Sequence, residues 1–217
     1  EAPAGTRRTL TTPTELLEAA RAVRIEAVEP RRGFSVLDPD DYDEAQFTVD
    51  ELKAAVDEAA ARKKRVAVHA EGVAGIKRAL RAGAYSIEHG WFMDEECVDL
   101  MLRQKTWWVP TLALVPLSRD RRMKDKAWDT AQLGEEARKD EEIYQKQINQ
   151  APLWKHAVAK GLRVAMGTDQ SHRLLTGENL VELEFMVKHL GMSPMQAIVA
   201  STKTAAEWLE RSELGPL

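Results

Sequence analysis

A single cysteine, Cys97, occurs in 217 residues. That excludes a disulfide framework within the chain and any metal site built from several thiolates. An ion held here must be held by histidine and carboxylate. An excess of one charge is lacking too: 31 Lys+Arg stand against 35 Asp+Glu, for a formal net charge of -4. Such a balance gives no basic field for nucleic acid, so a nucleic-acid partner is not expected. No apolar run approaches the roughly 20 residues that a membrane span needs, so no membrane partner is expected either. No repeat of fixed short period occurs, and the chain opens at Glu1 without a Met and without a charged-then-apolar leader. The opening reads like the middle of a protein, and Glu213-Leu214-Gly215-Pro216-Leu217 stops where a turn begins. The expectation is a piece of a longer chain whose true N-terminus is absent. A cytoplasmic setting is favoured, with the compartment left open. What is present is ordinary for a globular protein: 44% hydrophobic residues can supply a sizeable core at this length.

Short apolar runs alternate with helical patterns along the chain. Val23 to Val28 reads as a short strand interrupted by two charges, and Arg31 to Phe47, rich in Asp, Pro and Gly, as a loop. Thr48-Val49-Asp50-Glu51 is a capping box that opens a helix with Val49, Leu52, Val56 and Ala59 on one face. Arg65 to Ala70 is a β-branched run and hence a strand. Val73 to Ala82 is a helix closed by Gly83, and Tyr85 to His89 is the next strand. Asp94 to Lys105 predicts a helix and Thr106 to Leu112 a strand, with Pro110 near its end. Ser118 to Ala151 is highly charged and helical in pattern, a solvated excursion from the core that a second subunit could cover in a homo-oligomer. A helix from Pro152 to Gly161 and a strand from Leu162 to Gly167 follow. Asn179 to Leu190 predicts another helix. Ser193-Pro194-Met195-Gln196 opens the last, which runs to about Leu209. Strand–helix alternation of this kind makes an α/β fold with a parallel sheet, and both a doubly wound sheet and a β/α barrel fit the periodicity.

The polar residues separate these two. Of five histidines, His69 and His89 stand at the ends of predicted strands, and Asp169 follows a third strand by two residues. In a β/α barrel the C-terminal strand ends form the floor of the active site, so these side chains would converge on one mouth. Imidazole and carboxylate are the usual ligands of a catalytic divalent ion, which generates a nucleophile from bound water. The bland readings are a packed histidine and a helix-capping aspartate. His156 and His189 lie within helical patterns as surface or packing residues. His172 sits in the loop after Asp169, where a substrate contact is conceivable. Trp107 and Trp108 read as core, and Arg119-Asp120-Arg121-Arg122 as a solvated face.

Val66-Ala67-Val68-His69-Ala70-Glu71-Gly72, Ile76-Lys77-Arg78-Ala79-Leu80-Arg81-Ala82-Gly83 and Ser86-Ile87-Glu88-His89-Gly90 together resemble the amidohydrolase superfamily. The match is closest to its imidazolonepropionase-like and Xaa-Pro dipeptidase-like branch. Val109-Pro110-Thr111-Leu112, Gly167-Thr168-Asp169 and Ser201-Thr202-Lys203-Thr204-Ala205-Ala206 continue it in order, over roughly residues 45 to 217. The resemblance implies a (β/α)8, TIM-like barrel, present as an incomplete barrel lacking the N-terminal strands. Residues 1–217 would be its C-terminal part. It also implies one or two divalent ions, zinc first among them. His69 and His89 would match the metal-binding histidines of the fifth and sixth strands, and Asp169 the eighth-strand aspartate that binds metal and serves as general base.

Two departures stand out. The His-x-His pair of the family's first strand occurs nowhere in the chain, and Arg24 stands at the best match to the fourth-strand lysine that becomes a bridging carbamate. A guanidinium stays protonated and cannot become a carbamate. The segment before Arg24 is also shorter than the family usually shows, as it would be if residues were absent from this chain near that point. The expected function is metal-dependent hydrolysis of an amide or peptide bond in a dipeptide, an N-acyl amino acid or a cyclic amide. The alternatives are a lactone, ester or phosphotriester hydrolase on the same scaffold, or a degenerate barrel without catalysis.

Overall fold

The computed structural model describes residues 27–28, 45, 47–124, 130–169 and 177–214. The five strands among these residues are all parallel and lie side by side in chain order. They are β1 (Ala27–Val28), β2 (Ala67–Ala70), β3 (Ser86–His89), β4 (Trp107–Val109) and β5 (Arg163–Val164). Parallel neighbours need a crossover, and here helices supply it. α1 (Val49–Ala61) joins β1 to β2, α2 (Val73–Ala82) joins β2 to β3, and α3 (Glu95–Gln104) joins β3 to β4. The β4 to β5 crossover is longer and holds α4 (Leu114–Lys124), α5 (Thr130–Asn149) and α6 (Ala151–Ala159). After β5 come α7 (Val181–Leu190), α8 (Pro194–Ser201) and α9 (Lys203–Trp208).

Sequence signals place most of the helix ends. Thr48 and Glu51 form the expected capping box, with the Thr48 N–H donating to Glu51 at 2.7 Å. Asp94 caps α3 by accepting from the Cys97 N–H at 2.9 Å. Gly83 ends α2 in the left-handed region, as read from the sequence. The last helix departs from expectation, because it breaks at Thr202 into α8 and α9. The reason is local: the hydroxyls of Ser201 and Thr202 both donate to the Ile198 carbonyl at 2.8 Å, competing with the backbone ladder.

Strand alternation divides the sheet into two faces. Val68, Ile87, Trp108 and Val164 lie in register across β2 to β5, and all are buried. They pack with Ile76 and Leu80 of α2, Val98 and Met101 of α3, Trp154 of α6, and Met186 and Leu190 of α7 in one continuous core. Trp107, Val109 and Ala165 form a separate small cluster with Tyr85, Ala205 and Trp208. The Arg163 guanidinium lies 3.6 Å above the Trp107 ring, adding cation–π attraction. Both tryptophans of the Trp107-Trp108 pair are thus core residues, one in each cluster.

The described parts of the charged stretch are helical, as its pattern predicts, but they are not wholly solvated. α4 and α5 pack against each other. Ile143 is fully buried in the main core, and Asp140 and Gln147 are buried as well. Arg119 pairs with Asp120 and Glu141 and stands over the Tyr144 ring. The abundance of charge hid one apolar stripe on α5. Val23 to Glu26, and Arg24 with them, lie outside the described residues, as does His172.

Candidate metal centre

The C-terminal strand ends carry the polar residues. Alternation alone would place His89 on the face opposite His69 and Glu88, because His89 is in register with Ala70 of the helix-covered face. The His89 backbone breaks that alternation with φ of 68°. Its ring consequently stands edge-on to the His69 ring, with centroids 4.5 Å apart. Thr111 beyond β4 and Asp169 beyond β5 also have positive φ, at 48° and 50°. Left-handed backbone costs a non-glycine residue about 1 kcal/mol or more, so its recurrence at three neighbouring strand ends marks a region shaped for something other than stability.

Glu71, just past β2, joins the two histidines. One ligand atom from each of His69, Glu71 and His89 lies within 4.8 Å of the others. His69 Nε2 is 3.9 Å from Glu71 Oε1. His69 is partly exposed, while Glu71 and His89 are buried. Burial, with the nearby His69 adding to it, holds the His89 imidazole well below its ordinary pKa, so the ring is neutral at neutral pH. His89 Nδ1 is 2.6 Å from Thr111 Oγ1. With Nδ1–H donating to that hydroxyl, Nε2 keeps its lone pair for a ligand. The His89 carbonyl accepts from Trp108 Nε1 at 2.7 Å, and its ring packs edge-on against Trp91.

Two glycines allow this packing. A Cβ on Gly90, where φ is 60°, would come 2.9 Å from Trp108 Nε1. A Cβ on Gly167 would come 2.4 Å from Val109 Cγ1, so only glycine lets the chain beyond β5 pass against β4 on its way to Asp169.

Glu88 faces the same side as His69. Burial raises its carboxyl to about 7, the Ser86 hydroxyl at 2.6 Å pulls it down, and the charge of Asp169 pushes it up again. Asp169 therefore stands close enough for Glu88 to feel it, and its own side chain is exposed. Of the three residues expected from the sequence, His69 and His89 come together with Glu71 in one tight group. Asp169 borders that group from the β5 side through Glu88 and is not one of its three members. His156 is exposed on α6. His189 is buried against Tyr144 and Phe185.

Sequence reasoning assigned no role to Glu71, although the quoted string contains it. A carboxylate two residues beyond a strand-end histidine was the available signal. Glu182 of α7 was missed as well. It is fully buried and accepts from the Leu112 and Ala113 N–H groups at 2.7 and 2.8 Å. Burial pushes its carboxyl up to about 7 against the pull of those two donors.

Two imidazoles, one of them held neutral, and a carboxylate form a donor set that fits a divalent ion of the zinc, manganese or iron type. The molecule is thus a β/α protein of the barrel type with a candidate metal centre at its strand ends.

Residues 10–217 match the model of the amidohydrolase family, and the chain belongs to that family. It is 32% identical over 201 residues to ochratoxinase from Aspergillus niger, a match that takes in 87% of this chain and 38% of that protein. The structure resembles that of a Xaa-Pro dipeptidase with methionine bound in its active site. There the TM-score is 0.75 at 32% identity, covering 95% of this chain and 50% of the other. The crystal structure of A. niger ochratoxinase gives a TM-score of 0.71 at 28% identity, covering 91% of this chain and 43% of the other. The chain therefore spans half or less of the length of these relatives. The five parallel strands are part of an amidohydrolase β/α barrel, which in complete form has eight. His69, His89 and Asp169 lie on or after the second, third and fifth of these strands. That is the spacing the resemblance implies for the fifth, sixth and eighth strands of a full barrel. Among the described residues no helix is long and apolar enough to cross a membrane.

Proposed function

We propose that this chain is the C-terminal part of a metal-dependent amidohydrolase that cleaves an amide or peptide bond in a small substrate. A dipeptide, an N-acyl amino acid and a cyclic amide are the candidate classes. The observation that carries this reading is the meeting of His69 and His89, two side chains from neighbouring strands, with Glu71 beside them. Relatives named ochratoxinase and Xaa-Pro dipeptidase support the choice of bond.

His69 and His89 hold a divalent ion, for which zinc is the best-suited candidate, with Asp169 as a further ligand and Glu71 within reach. Such an ion, when bound, acidifies water to a pKa near 7 and polarises a carbonyl. His89 serves as a neutral ligand because burial disfavours its protonation. Asp169, exposed at the mouth, takes the proton of the attacking water and passes it to the departing nitrogen. Half-buried Glu88 keeps a second carboxyl near Asp169, whose charge disfavours charge on Glu88.

The test is metal content and hydrolysis of a dipeptide panel by the full protein and its Asp169→Asn variant. Loss of hydrolysis with metal retained is expected. Undiminished turnover in the variant removes Asp169 as the base. Preference for lactones or phosphotriesters over every amide tried moves the protein to another substrate class on the same scaffold.

A further inference from the structure

His89 is held by more than its own strand. Thr111, which meets its Nδ1 at 2.6 Å, is a β-branched residue in left-handed backbone, a conformation it does not adopt unaided. Something must hold the segment from Pro110 to Ala113 in place. On one side Trp91 Nε1 donates to the Pro110 carbonyl at 2.7 Å. On the other, the Leu112 and Ala113 N–H groups point at the two carboxylate oxygens of Glu182. Those N–H groups immediately precede α4, where backbone donors lack partners within the helix. Glu182 reaches them from α7, which follows β5 and lies beyond Asp169 in the chain.

A fully buried carboxylate is expensive, and an apolar residue would fill the same space at lower cost. Capping α4 alone would not require the bond to be spanned from another helix, since a local Ser or Asp does that at most helices. What Glu182 adds is a tie between α7 and the residue that touches His89.

We propose that Glu182 is a positioning residue for His89, acting through the Leu112 and Ala113 backbone to hold the Thr111 hydroxyl on Nδ1 and so keep Nε2 free as a ligand atom. This rests on the reading of His89 as a metal ligand. Its first consequence, the tautomer of His89, is nevertheless present in metal-free protein.

The experiment measures the ring-nitrogen chemical shifts of His89 by two-dimensional NMR of metal-free full protein. Zinc affinity is measured alongside by competition with a chromophoric chelator. In the parent protein His89 is protonated at Nδ1. Thr111→Val removes the hydroxyl at nearly constant shape. It is expected to shift the ring toward Nε2 protonation and to weaken zinc binding about tenfold or more. Thr111→Ser restores both. Glu182→Gln, or Glu182→Asp where the glutamine variant does not fold, reproduces the tautomer shift. Combined with Thr111→Val, it weakens zinc no further than Thr111→Val alone, because the two act in series. If the Glu182 variants lower the melting temperature but leave the His89 shifts and zinc affinity at parental values, Glu182 only caps α4 and the proposal is overturned. Unchanged zinc affinity in His69→Ala and His89→Ala overturns the metal reading instead, and the tautomer result still decides the role of Glu182.

Discussion

Val68, Ile87 and Trp108 on one side of the sheet, and His69 and Glu88 on the other, occupy adjacent positions of the same strands. The first set faces helices and is sealed: Ile87 and Trp108 are entirely buried in a core of Leu, Ile, Val, Met and Trp. The second set faces away from the helices and brings imidazole and carboxyl groups together, with Glu88 pushed up to about 7. One side gains stability by removing apolar surface from water. The other holds polar groups and left-handed backbone that detract from stability, which is the usual mark of a surface kept for chemistry. A sheet of short strands can do both because side-chain direction alternates, and His89 shows how one residue with positive φ moves a side chain from the first face to the second.

Four changes test that contrast. Asp169→Asn on the open side should reduce turnover by roughly 10²- to 10⁴-fold, the range for removal of a general base, while leaving denaturant unfolding close to parental. Steady-state kinetics beside a urea titration read both at once. Equal losses in activity and stability would blur the distinction between the faces. Ile87→Ala on the sealed side should do the reverse. It removes about 2–5 kcal/mol of stability, seen as a lower urea midpoint at unchanged slope, and any effect on rate follows from unfolding alone.

His189 is one exception within the sealed side, a titratable ring among Tyr144, Phe185 and the core of α7. Burial, with Lys188 and Lys155 adding to it, lowers its pKa to about 4. Its buried Nε2 has no hydrogen-bond partner among the described residues. The unfolded chain binds that proton near pH 6.5 and the folded chain only near 4. Stability is therefore fully present above about 6.5 and is lost as the pH falls toward 4. His189→Phe should remove about 2–3 kcal/mol of this acid sensitivity, read from urea midpoints at pH 7 and pH 4.5. A parental pH slope in the variant would assign the acid response elsewhere. The smallest effect belongs to Ser86→Ala, which deletes the hydroxyl that bonds Glu88 at 2.6 Å. It should change stability by about 1 kcal/mol and raise the Glu88 carboxyl still further, visible in its carbon-13 titration.

Much of the sealed side was legible beforehand. Capping residues such as Thr48 and Ser193, glycine stops such as Gly83, and β-branched runs such as Val66-Ala67-Val68 carry their signal within a few residues. His69 and His89 could be picked out because strand ends can be located from those same local cues. Glu71 left only the local signal of a carboxylate two residues past His69. Thr111 and Glu182 left none, since their significance comes from contacts across the fold. Glu182 meets Leu112 over a separation of 70 residues. The burial of Ile143 was obscured for a related reason, as a lone apolar stripe in a charged helix looks solvated until its neighbour α4 is in place. The break at Thr202 turned on hydroxyl-to-carbonyl bonds that residue spacing does not announce.

Elemental analysis of the full protein beside a His69→Ala/His89→Ala double variant tests the account at its centre. Stoichiometric divalent metal in the parent, absent from a variant that still folds, is the predicted result. An equal metal content in both, or a parent that takes up no divalent ion from zinc- or manganese-supplemented buffer, would contradict it.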